Sequence, residues 1–594
     1  MLLQDFSGGL NTRVDSRLIS PTQATIYENI NPINGNIEAF NEDKKEFEAK
    51  DKNFINFKDE WVFSDKEFIV YNDTLIRYGE KVEKSKDGKT WYNLGIKEPS
   101  NALTLELWED SMPPIIITQE NSTVQNFYPD TELHYIVESY NKSRGTYTYK
   151  DIFYTTKDPG PNQFIEKIYF YFPITALHLK IYRYVDREFK AIDGLTDNGN
   201  YGETLNKHII LKGDITYAYT YYNINDGSES RFSKLSEITV HSGKVKITGF
   251  EHSDDPQVTH IRLYRVGGGL TEFTLVAELD KNVTEFVDDI KNEDLTFETL
   301  RDDNLGKCPD NILHMTEYNS MLFAIKDNYL YFSDAGNINA WSPYNFIKFP
   351  NKLTGLGVTS NGLLVFTKFK TYIITGNSPS TLSKFLLDGS QGCVDHRSIQ
   401  HLNGSCIWVS TDGICYSSGG LPQVLSMDVL GKVVINPVSS VIFDRVYYVS
   451  EKDKTYFVDM RFNKSIGIIN DYYNSLQVYN DELYGIKSDN YVYKLFSSNN
   501  KKSLHYKSGS LTEGQISMIK NYKVFYIYAE KVTDMLCNIY IDNKLSISKK
   551  LNNKLNEIKI PQSDRLGYYC QIEFIGNGTI KEIEYKVEGR QNGR

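Results

Sequence analysis

A strand-turn-strand unit returns at near-constant spacing through the second half of the chain. It reads NSMLFAIKDNYLYFSDAG from Asn319, NGLLVFTKFKTYIITGNSP from Asn361 and NGSCIWVSTDGICYSSGGL from Asn403. It continues as FDRVYYVSEKDKTYFVDMR from Phe443 and NDELYGIKSDNYVYKLFSS from Asn480. The starts lie 42, 42, 40 and 37 residues apart. Each copy holds an apolar strand, a short polar turn and a second, aromatic-rich strand. A strand period near 40 predicts β-propeller blades, which take four strands each. The unit occurs once early, as KEFIVYNDTLIRYG over Lys66–Gly79. One early and five late copies predict about six blades, closed by bringing the two ends of the chain together, which removes exposed sheet edges.

A second repeat lies between the early unit and the late ones. Tyr135, Tyr140, Asn141, His178, Tyr182 and Arg183 return as Tyr217, Tyr222, Asn223, His260, Tyr264 and Arg265, all offset by 82. Both copies alternate apolar and polar residues, which predicts two tandem β-sandwiches of the fibronectin type III kind over 125–298. The chain therefore reads as all-β. Residues 1–124 hold the N-terminal segment and first blade, the sandwiches interrupt the propeller after that blade, 299–504 hold the remaining blades, and 505–594 form a C-terminal β-domain. Helix signals are few, with QATIYENI after Pro21-Thr22 the one weak candidate.

Forty-three Tyr suit half-buried strand faces, since the ring packs while the hydroxyl reaches water. The formal charge of −11 argues against a tight nucleic-acid binder, which needs clustered Lys and Arg. It permits a wall past which DNA slides. The six cysteines, at 308, 393, 406, 415, 537 and 570, form no C-x-x-C pair, so zinc or thioredoxin chemistry is not expected. No apolar run is long enough to span a bilayer. The expectation is a chain made in the cytoplasm, with no membrane insertion and no cofactor.

Chemistry-bearing patterns are sparse. No phosphate-binding glycine loop or H-E-x-x-H is present, and DGLTDNGNYGE (Asp193–Glu203) has the wrong spacing for a calcium loop. Cys393-Val394-Asp395-His396 invites a nucleophile reading, but neighbours in an extended strand point to opposite faces. Arg183 and Arg265, with His178 and His260, recur at equal positions of a duplicated module, as do Tyr182 and Tyr264, which favours a structural role. Ser85-Lys86-Asp87-Gly88-Lys89-Thr90-Trp91 is one residue short of the Asp-box of sialidase-like propellers, itself a turn in which Asp and Ser bond the backbone. In YLYFSDAGNINAWSP, Asp334 and Gly336 predict a turn, Trp341 packing between blades, and Pro343 the stop of strand pairing. No catalytic pair stands out.

Taken in order, several stretches resemble the tail nozzle proteins of short-tailed phages, the tail tubular protein B family. They are FSGGLNTRVDSRLISPTQATIYENI, DGKTWYNLGIKEP, the paired IYR-bearing sandwiches, YLYFSDAGNINAWSP, LTGLGVTSNGLLVFTKFKTYIITG and GCVDHRSIQHLNGSCIWVSTDGICYSSGG, spanning residue 6 to about 420. The resemblance implies a virion protein of the phage tail: a homo-hexameric ring below the portal adaptor. That ring continues the DNA channel, contacts tail fibres or spikes, lets double-stranded DNA pass during ejection without specific binding, and catalyses nothing. The competing readings are a glycan-binding propeller–sandwich adhesin and a sialidase-like glycoside hydrolase.

Overall fold

The computed structural model describes all residues except 108–114, 142–145, 172–177, 193–195, 198–199, 205–210, 301–304, 462–464 and 591–594. It is an all-β protein that divides into two compact units, Met1–Leu94 with Cys308–Arg594, and Gly95–Lys307. No helix among the described residues is long and apolar enough to cross a membrane.

The first unit is built on four-stranded antiparallel sheets. The first sheet holds Glu67–Tyr71, Thr74–Tyr78, Glu83–Ser85 and Tyr92–Asn93. The second (His314–Tyr318 to Phe346–Lys348), third (Leu353–Thr359 to Ser383–Asp388) and fourth (Gln400–Leu402 to Gln423–Val424) follow in chain order. The fifth runs from Ser439–Phe443 to Ser465–Ile469. In the late sheets the sequence repeat falls on the two central strands. Met321–Lys326 and Gly362–Thr367 are buried along almost their whole length, because both sheet faces are covered.

The sixth sheet is assembled from distant segments. Ser475–Tyr479, Glu482–Ile486 and Tyr491–Lys494 are completed by Lys44–Glu48, with Tyr491 opposite Glu48 and Val492 opposite Phe47. A two-stranded hairpin, Asn53–Phe57 with Glu60–Ser64, lies next to it. Phe54 and Trp61 of the hairpin pack with Phe47, Ile486 and Val492 of the sixth sheet. The first strands of the six sheets and of the hairpin each touch the next, and Asn53–Phe57 returns to Glu67–Tyr71 to complete the circuit.

The segment QATIYE is a strand, Gln23–Glu28, not a helix. Tertiary pairing overrides its weak local preference: Tyr27 sits opposite Tyr506 of Leu504–Ser508, and Ala24 and Tyr27 are buried. Gln23–Glu28 also joins the fifth sheet to the C-terminal strands. There, Ile519–Ile541 and Cys570–Arg590 pair along most of their length, with bulges at Tyr522/Val524, Tyr528/Ala529 and Glu530/Asp534. Residues 505–590 thus share a sheet and a core with the N-terminal strands. Leu2 lies opposite Glu584, and the Met1 ammonium donates to the Tyr585 carbonyl at 2.8 Å.

The second unit contains two two-sheet modules. In one, the sheet of Glu132–Asn141 and His178–Val185 shares a core with the sheet of Ile116–Ser122 and Phe164–Tyr171. In the other, Leu211–Tyr222 and His260–Gly267 share a core with Thr104–Leu107, Val245–Thr248 and Glu285–Asp288. Thr104–Leu107 precedes the first module in sequence yet completes the second, pairing Leu105 with Ile247.

Candidate functional site

The offset of 82 is a strand register. Tyr135 faces Arg183, Ile136 faces Tyr182 and Tyr140 faces His178 across one pair of strands. Tyr217 faces Arg265, Ala218 faces Tyr264 and Tyr222 faces His260 across the other. Each Tyr–Arg pair converges on a carboxylate from the opposite sheet. The Tyr217 hydroxyl donates to Asp288 Oδ2 at 2.7 Å, and Arg265 Nη1 donates to the same oxygen; all three side chains are fully buried. The Tyr135 hydroxyl donates to Asp197 Oδ2 at 2.8 Å, which Arg183 Nη1 reaches at 3.2 Å. Asp288 keeps Tyr217 protonated, because burial and the adjacent carboxylate push the phenol far above its ordinary range. These triads tie sheet to sheet. Tyr182 packs with Ile136 and Phe189, and the Tyr264 hydroxyl donates to buried Glu229 at 2.7 Å. The loop Asp193–Glu203 lies partly outside the described residues.

The Asp-box-like segment is a turn. Asp87 Oδ1 accepts the backbone N–H of Lys89 and Thr90, both at 2.8 Å, and the Ser85 hydroxyl at 2.9 Å. Those donors hold the carboxyl well below the usual carboxylate range. Gly88 has φ 73°, and a Cβ there would come within 2.9 Å of the Val62 side chain. Trp91 is half-buried, its ring covered by the Arg77 guanidinium at 4.1 Å.

In the YLYFSDAGNINAWSP stretch, Asp334 Oδ1 accepts from Ala335 N at 3.0 Å and Gly336 has φ 75°. Trp341 is 3% exposed and packs among Ile76, Tyr78, Cys308, Met315 and Ala324, side chains of the first and second sheets and the segment between. Its indole N–H donates to the Ile338 carbonyl at 2.8 Å, and Pro343 lies exposed in the following turn.

Cys393 does not reach its neighbouring histidine as a nucleophile would. It is fully buried, its thiol is directed at the Asp395 carbonyl at 3.2 Å, and burial pushes it up to about 12. Like the other five cysteines it is buried.

His396 turns away into a cavity of about 230 Å³ bordered by first strands and entry loops of several sheets. Its Nε2 lies 2.7 Å from Glu67 Oε1 of the first sheet, 329 residues away, while Tyr78 donates to Glu67 Oε2 at 3.0 Å. The His314 ring lies 5.1 Å from the His396 ring, centre to centre, and its Nδ1 accepts from Leu356 N at 3.1 Å. That bond places the remaining proton of neutral His314 on Nε2. Arg397 forks onto Asp395, with Nε 2.9 Å and Nη2 2.7 Å from its two oxygens. The sequence singled out only Asp395 and His396 in this group. Glu67, Tyr78 and His314 carry no local signal, because only the closed circuit of sheets brings them together.

Burial, then the proximity of His396 and His401, depresses His314 well below its ordinary value of 6.5. Burial also lowers His401, against the opposing effect of its contact with Val358. Both unfolded imidazoles take up protons that the folded ones resist, so stability is full above about pH 6.5 and declines as the pH falls toward the folded values. The melting temperature is expected to drop between pH 7 and pH 5. The drop should be shallower in His314→Phe; an equal drop in that variant removes His314 as its source.

Among the described residues, no group of three or more His, Cys, Asp or Glu is placed to hold a metal ion. No family model and no curated protein matches the sequence. Among solved structures, Hsv2 of Kluyvelomyces marxianus is 8% identical, covering 47% of this chain and 88% of its own, with a TM-score of 0.23. BamB of Moraxella catarrhalis is 12% identical, covering 50% and 94%, with a TM-score of 0.23. The extracellular domain of the hybrid two component system BT4673 from B. thetaiotaomicron is 10% identical, covering 95% and 92%, with a TM-score of 0.25. At scores this low these likenesses carry no inference about what the chain does.

Proposed function

We propose that the chain is a structural subunit of a short-tailed phage tail, a nozzle protein that assembles as a homo-hexameric ring below the portal adaptor. The first unit is read as a propeller, with six four-stranded blades and the Asn53–Ser64 hairpin as a reduced seventh. The second unit is read as a platform of two fibronectin III-like sandwiches. The observation that carries the reading is a circuit of sheets interrupted once, after the first sheet, by a two-module β unit. That interruption falls where the ordered motifs of the tail nozzle family place it. The chemistry agrees. The groups that sequence offered for catalysis are tied up in turns, in buried triads or in a protonated thiol. A formal charge of −11 suits a wall that DNA passes without the phosphate contacts that make it stick. A closed ring joins one side of each subunit to the other side of its neighbour. Electron microscopy of the purified protein, alone and mixed with portal–adaptor complexes, is expected to show sixfold rings that dock on the adaptor. Monomers that fail to assemble even with the adaptor present overturn the reading.

A further inference from the structure

The cavity at the circuit of sheets has the chemistry of a small binding site, and we infer that it takes a single uncharged sugar ring. This goes beyond the tail-nozzle reading and does not rest on it. The ionisable groups bordering the cavity are already hydrogen-bonded to partners within the protein. Glu67 is engaged by His396 and Tyr78, and Asp395 is held by Arg397. A charged ligand would have to break one of those pairs, whereas an uncharged one would not.

What remains facing the space is amide, hydroxyl and imidazole chemistry. Gln400 Nε2 donates to the Ser440 carbonyl at 3.0 Å, and Gln477 Nε2 donates to the Val478 carbonyl at 3.1 Å. Both keep their Oε1 as acceptors. Exposed Asn474 offers both roles, and His314 offers the Nε2 proton fixed by Leu356. Groups that donate and accept at close spacing match hydroxyls, which do both. Phe68 and Ile55 add apolar surface to the lining, suited to the C–H face of a pyranose. About 230 Å³ is below the range that holds drug-sized ligands and fits one small ring.

The test uses the full chain and saturation-transfer NMR with free hexoses, N-acetylhexosamines and 6-deoxyhexoses, with inorganic phosphate as the anionic probe. At least one sugar is expected to bind, with affinity reduced tenfold or more in both Asn474→Leu and Gln477→Leu. Lys246→Ala, in the second unit, should leave binding unchanged. Circular dichroism confirms that each variant is folded. Absence of binding by every sugar at 50 mM (about the weakest affinity worth calling recognition) overturns the inference, as does sugar binding that survives both leucine variants or phosphate binding in place of sugar. Ring assembly by microscopy is a separate readout, so either result stands without the other.

Discussion

Asp288→Ala is expected to destabilise the second module by about 3–5 kcal/mol, because it leaves Arg265 as an uncompensated buried cation. Tyr217 loses its acceptor at the same time. Hydrogen exchange over His260–Gly267 reads this locally. Protection there should fall by about two to four orders of magnitude, at tenfold per 1.4 kcal/mol, while the strands of the first unit keep theirs. The informative contrast is the triple replacement Tyr217→Phe, Arg265→Met and Asp288→Leu. Apolar side chains of similar volume avoid the desolvation cost of two ions, so the triple variant should regain most of the lost stability. If Asp288→Ala costs less than about 1 kcal/mol, the triad does not hold the sheets together.

Trp341→Ala is the second large effect, at about 3–5 kcal/mol. The indole fills space among first- and second-sheet side chains, so its removal leaves a cavity that neither rigid sheet can collapse to fill. Trp91→Ala serves as the internal comparison. That ring is only half-buried, with the Arg77 guanidinium over one face, so its loss should cost much less. Urea denaturation followed by circular dichroism ranks the two, and a near-neutral Trp341→Ala would mean the ring is dispensable to packing.

The readable parts of the fold were those where local pattern and tertiary environment coincide. Strand pairs such as Met321–Lys326 with Tyr329–Phe332 carry their own turn, and their alternation survives in any context. The 82-residue repeat was legible because the register between paired strands preserves it. Asp197 and Asp288 were not, since they lie 91 residues apart (288 − 197) and break the offset. Strands completed by remote partners were harder still. Gln23–Glu28 looks weakly helical in isolation and becomes a strand only beside Leu504–Ser508. Thr104–Leu107 belongs to a module whose other strands begin a hundred residues later. Of the cavity, sequence offered only His396, through a Cys-His reading that burial of Cys393 disposes of.

The sixth sheet has a consequence for how the chain comes off the ribosome. Lys44–Glu48 emerges early, but its hydrogen-bonding partner Tyr491–Lys494 is made more than four hundred residues later. At about 5–20 residues per second, that edge waits tens of seconds without its mate. Charge guards it meanwhile: KKEFE offers Lys44, Lys45, Glu46 and Glu48 to water and only one apolar side chain. The segment that completes the sixth sheet is therefore also poorly suited to pair with a neighbouring nascent chain.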